Sequence, residues 1–239
     1  MLLALDTSSA VTSIALAQGD AILRSRTLRH EDRRSEQLWT DVTSLLEDVA
    51  LSVEDLDAFA VCVGPGGFTG LRVGIAAIKG LAMATGKPAA GVTSLEAAAF
   101  GARPGAPVCS LVNAYRDEVY SQLFDFDERG VPVARNEPLV STSAAAFDRV
   151  AEMNELVFAG NAAAACEESI REGQASGMRW SISEGMSTVA ENIALLSRLK
   201  GPATSASLKA CYVRPAEAEV KLALGLLGSK IRRTLARQD

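Results

Sequence analysis

Two stretches carry residue types that can handle phosphate. Asp6-Thr7-Ser8-Ser9 follows the apolar run Met1-Leu2-Leu3-Ala4-Leu5, and Gly64-Pro65-Gly66-Gly67-Phe68-Thr69-Gly70-Leu71-Arg72-Val73-Gly74 follows Ala58-Phe59-Ala60-Val61-Cys62-Val63. A strand-end aspartate with neighbouring hydroxyls can face metal-bound phosphates, and backbone N–H groups at a glycine-rich strand-to-helix turn attract anions. Spacing limits both ideas. No Gly-Lys-Ser/Thr follows the glycines, and their G-x-G-x-x-G likeness lacks the acidic residue expected about 20 residues later. Asp and Ser are in any case favoured at polar strand ends.

Other chemistry is scarce. The single histidine, His30, lies in charged surroundings and reads as an ordinary exposed residue, so a Ser-His-Asp or Cys-His arrangement has no positioned base and a two-histidine metal motif is ruled out. The four cysteines, Cys62, Cys109, Cys166 and Cys211, form no C-x-x-C pair. Cys62 and Cys109 sit in apolar runs, which predicts buried, reduced thiols and a cytoplasmic location. A net charge of −5 argues against a dedicated nucleic-acid binder. The basic clusters at Arg24, Arg26, Arg29, Arg33 and Arg34, and at Lys221, Lys230, Arg232, Arg233 and Arg237, read as solvated faces. Neither a signal peptide nor a span of about 20 apolar residues is evident, so no membrane association is expected.

The elements that must position these residues follow from periodicity. Strands at 1–5, 11–17 and 21–28 precede a helix over 35–50, whose Leu38, Trp39, Val42, Leu45, Leu46 and Val49 form a wide apolar stripe. Ser52 and Asp55 resemble a capping box, and a strand at 58–63 runs into a helix over 68–85 closed by Gly86-Lys87-Pro88. A strand at 89–92 and a helix capped by Thr93-Ser94 and running to Phe100 complete this half. The loop 102–107 is the expected domain boundary, after which strands at 108–112 and 118–126 start the pattern again, with Asn113 where Asp6 stood. A neutral amide there weakens the case for metal-assisted phosphoryl transfer.

Helices are expected over 147–154 and 162–173 and from Ser187 or Thr188 to Gly201-Pro202, the last capped by Glu191, with a strand at 156–159. The fold class predicted is α/β: two actin-like (ASKHA, ribonuclease-H-like) subdomains, 1–103 and 104–215, with mixed sheets flanked by helices, then a basic, helical tail at 216–239. The 68–85 helix has an unusual surface. Gly70, Gly74, Ala77, Gly80 and Ala84 leave one side nearly bare, at a cost of about 1 kcal/mol per interior glycine relative to alanine. Either a second helix approaches that side, or the helix lies tight on its own sheet.

Leu5-Asp6-Thr7-Ser8, the 64–74 segment with Lys79-Gly80-Leu81-Ala82, Arg116-Asp117-Glu118-Val119-Tyr120, Gly160-Asn161-Ala162 and Tyr212-Val213-Arg214-Pro215 together resemble the TsaB (YeaZ) family. The resemblance implies a bacterial, non-catalytic subunit of the machinery that makes threonylcarbamoyladenosine (t6A) in tRNA. It implies pairing with the catalytic paralogue TsaD, association with the ATPase TsaE, a homodimer when alone, and contact with tRNA only through the complex. No cofactor of its own is implied, although ATP or ADP can belong to the assembled complex, with Asp6, Thr7 and Ser8 as the candidate nucleotide contacts.

Family members pair through their first two helices. That carries over here to Leu38, Val42 and Leu45 on the first, and to Thr69, Gly70, Arg72, Val73, Gly74, Ala77, Gly80 and Leu81 on the second. Two departures stand out: Asn113 replaces an acid and Gly67 a serine. The competing readings are an ATP-dependent small-molecule kinase and a metallopeptidase; the lone histidine argues against the second.

Overall fold

Alternation along the first strand sets the architecture. Leu3 and Leu5 face one way and Leu2 and Ala4 the other, and all are buried, so this strand must be covered on both sides. In the computed structural model, which describes residues 1–29, 35–102, 105–183, 185, 188–201, 204 and 208–214, it is the centre of a five-stranded sheet ordered β3-β2-β1-β4-β5. The strands are β1 (Leu2–Asp6), β2 (Val11–Gln18), β3 (Ala21–Arg29), β4 (Ala58–Cys62) and β5 (Ala89–Val92). β1 pairs antiparallel with β2 and parallel with β4.

One face carries α1 (Ser35–Glu47) and α2 (Phe68–Thr85), which bury Leu38, Val42, Leu45, Ile75 and Ile78 against Leu3, Leu5, Phe59 and Val61. Each fully buried Leu or Ile contributes roughly 1.5–3 kcal/mol. α2 is long and apolar enough to cross a membrane by length and composition, but its apolar stripe is committed to this sheet. It ends as predicted, with Gly86 in the left-handed conformation (φ 70°).

α3 (Ser94–Ala102) leads to the second sheet, ordered β11-β10-β6-β7-β8, with β9 also on β7. Its strands are β6 (Val108–Asn113), β7 (Glu118–Phe126), β8 (Pro132–Ala134), β9 (Leu139–Thr142), β10 (Glu155–Ala159) and β11 (Arg179–Ile182). Its outer face is covered by α4 (Ser143–Asp148) and α5 (Glu167–Ala175), around a Phe147, Phe158 and Trp180 cluster. The result is the actin-like arrangement of two mixed sheets flanked by helices.

Several sequence expectations need correction. α4 precedes the expected 147–154 helix, because Thr142 caps it by accepting the Ala145 N–H. The 162–173 helix is a single 3-10 turn (Ala164–Cys166) followed by α5. α6 (Val189–Lys200) begins at the expected Thr188–Glu191 capping box. It packs on the first sheet and not the second: Ile193, Ala194 and Leu196 bury against Leu2, Ala4 and Cys62, and the Ala190 N–H donates to Ser13 Oγ at 3.1 Å. Sequence order thus assigns this helix to the wrong half. Arg24 and Arg26 of the first basic cluster pair with Asp48, which Arg26 holds below the usual carboxylate range. His30, Arg33, Arg34, Ser187, Pro202 and the 216–239 tail lie outside the described residues.

Candidate partner interface

The two phosphate-handling stretches meet, and they satisfy one another. The turn after β1 inserts Thr7 and Ser8 against the start of α2. The Gly67 N–H donates to Ser8 O at 2.6 Å, and the Thr7 hydroxyl donates to Gly70 O at 2.7 Å. Side chains are excluded there. A Cβ at Gly66 would press on Ser8 O, one at Gly70 on Thr7 O, and one at Gly74 on Thr7 Oγ1.

Asp6 is 2% exposed, and its Oδ1 accepts the Ser8 N–H at 2.9 Å. Burial raises its carboxyl above the usual range, with bonds from Ser8 and Cys62 opposing the shift. Burial, followed by the Asp6 charge, pushes the Cys62 thiol well up, and burial takes Cys109 to about 12, so neither is a ready nucleophile.

Within this turn the Thr7 hydroxyl and the Ser8 N–H are engaged by Gly70 O and Asp6 Oδ1. Asp6, Thr7 and Ser8, the residues expected to contact a nucleotide, are all buried. Among the described residues, no three of His, Cys, Asp and Glu converge.

The bare side of α2 divides in two. Gly70, Gly74 and Ala77 face their own chain, sealed by Thr7 and the sheet, so the expectation that this whole side lies open is corrected at those positions. Leu38, Val42, Leu45 and Leu81 are likewise buried in the monomer core. Thr69, Arg72, Ala76, Gly80, Met83 and Ala84 point outward, and Val73 is half-buried beside them. Nothing lies within 4 Å of where a Gly80 Cβ would be, and Met83 is 78% exposed. Phe68 and Trp39 are also exposed.

Of this outward set, Thr69, Arg72, Val73, Gly80 and Ala84 were read from sequence, and Ala76 and Met83 were missed. The exposed Met83 three residues beyond Gly80 was the available signal. At the amino-terminal end of α2, the Arg72 guanidinium lies 3.8 Å over the Phe68 ring and donates to the Tyr212 hydroxyl at 3.2 Å.

In the second half, the turn after β6 repeats the first with a different outcome. Asn113 Oδ1 accepts the Tyr115 N–H at 2.7 Å, matching Asp6 and Ser8. Asn113 is exposed, however, and Tyr115, Arg116 and Asp117 have φ of 59°, 58° and 60°. Three consecutive left-handed residues other than glycine store roughly 1–2 kcal/mol each.

A model of the family "TsaD: tRNA N6-adenosine threonylcarbamoyltransferase" matches residues 30–228. The chain is 32% identical over 126 residues to tRNA threonylcarbamoyladenosine biosynthesis protein TsaB of Bacillus subtilis, covering 52% of this chain and 55% of that relative. The match thus spans little more than half the relative's length. Among solved structures, an uncharacterised Pseudomonas aeruginosa protein with similarity to peptidase YeaZ aligns with TM-score 0.68 and 25% identity, covering 89% of this chain and 99% of that one. Component A of the (R)-2-hydroxyglutaryl-CoA dehydratase of Acidaminococcus fermentans aligns with TM-score 0.53 at 11% identity, covering 83% and 97%, which is a likeness of fold alone. The chain belongs to the tRNA N6-adenosine threonylcarbamoyltransferase (TsaD) family, and within it to the TsaB (YeaZ) proteins.

Proposed function

We propose that this chain is a non-catalytic, cytoplasmic subunit of t6A biosynthesis that pairs with TsaD through the outward stripe of α2. The observation that carries the reading is the pairing of open space at Gly80 with exposed Met83 on a helix whose other faces are committed to the core. A backbone without side chains lets a partner helix approach closely, and an exposed, adaptable thioether gives it apolar surface to cover.

The burial of Asp6 and the bonds that Thr7 and Ser8 make within the turn support leaving chemistry to the partner. Any ATP or ADP in the assembled complex is then held mainly by other subunits, TsaE among them, and tRNA is reached through TsaD. When TsaD is absent, the same stripe accommodates a second copy of the chain. Reconstitution of tRNA modification from TsaD and TsaE, with and without this chain, tests the role: modification should require the chain, while the chain alone should not turn over ATP. ATP turnover lost in Asp6→Ala would favour a small-molecule kinase.

A further inference from the structure

We infer that residues 208–214 are a clasp coupling the first turn of α2 to the β6–β7 tip, so that whatever engages Phe68 and Arg72 is felt at residues 115–117. The segment is anchored in both halves of the molecule. Leu208 is buried in the first core. The Cys211 N–H donates to Val63 O at 2.7 Å, and Cys211 O lies 2.8 Å from where a Gly64 Cβ would be.

Tyr212 then packs its ring against Phe68, tilted by 32° with ring centroids 5.2 Å apart, and its hydroxyl accepts from Arg72. Val213 packs with the second core. Arg214 donates to Ala114 O at 3.2 Å and pairs with Glu118, gripping both sides of the strained tip. Two residues of chain span at most about 7 Å. A backbone displacement that carries Tyr212 off Phe68 therefore pulls on Arg214. The tip itself is a switch candidate, because a left-handed run persists only while its surroundings hold it.

The physiological trigger rests on the partner reading above, since Phe68 and Arg72 border the outward stripe; the coupling does not, and is tested in the isolated chain by amide hydrogen exchange. Tyr212→Ala, made at the α2 end, should speed exchange of the Tyr115 and Glu118 amides about fivefold or more, and Arg214→Ala, made at the tip, should do the same to the Cys211 amide. Tyr212→Phe keeps the ring and loses only the Arg72 bond, so it should shift the tip in the same direction by less. Effects confined to the mutated end overturn the clasp, including when seen only in Tyr212→Phe and Arg214→Ala because Tyr212→Ala does not fold. A coupled tip in a chain that does not bind TsaD would sink the partner reading and leave the clasp standing.

Discussion

The turns after β1 and β6 start from the same local bond and end in opposite states. In each, the residue closing the strand accepts the N–H two positions on, Asp6 from Ser8 and Asn113 from Tyr115. The first turn is buried under the glycines of α2, whereas the second is exposed, strained and held from outside by Arg214. Local sequence chemistry makes the turn; what lies above it decides whether the turn is a fixed part of the core or a surface that can change. Asp6 of the first turn is buried, and the second turn carries the neutral amide of Asn113 in place of a carboxylate.

The largest expected effect breaks the buried version. Gly70→Val forces a branched side chain into the Thr7 carbonyl, and urea unfolding should show a loss of about 3 kcal/mol or more, or no folded protein. Gly80→Ala is the control: it meets open space and should add about 1 kcal/mol of helix stability.

Asp6→Asn makes the first turn resemble the second while keeping an oxygen for the Ser8 N–H. Because burial raises the folded-state pKa of Asp6, the wild type is least penalised below the unfolded value of 3.8 and loses stability as pH rises through the folded value. The variant should therefore gain on the wild type as pH rises from the unfolded value through the folded one and keep that gain above it, a trend measured by unfolding at several pH values.

Tyr115→Gly relieves one left-handed residue and should stabilise the chain by roughly 0.5–1 kcal/mol, measured by urea unfolding. Asn113→Asp, at an exposed position, should change stability by less than about 0.5 kcal/mol.

Much of the fold was legible. The unbroken apolar run of β1 marks a strand covered on both sides, and the Gly86 stop and the Thr188–Glu191 box each rest on interactions within a few residues, so their residue types carry the information. The edge strands β8, β9 and β11 were not legible, being three or four residues long and stabilised by their partners. Nor was the destination of α6, since its apolar stripe fits either sheet.

The site shows the same division. Helical spacing put Gly70, Gly74, Ala77 and Gly80 along one side, but spacing cannot say what covers it, and Thr7 covers only the amino-terminal half. The Tyr212 contact with Arg72 spans 140 residues and left no local trace.

The claim that the outward half of α2 is a docking surface is tested most directly by titrating purified TsaD into the wild type and into Gly80→Arg by calorimetry. The account predicts at least a thirtyfold loss of affinity, about 2 kcal/mol, with a thermal unfolding midpoint no lower than that of the wild type, since Arg replaces an interior helical glycine. Undiminished binding by a folded Gly80→Arg would contradict it.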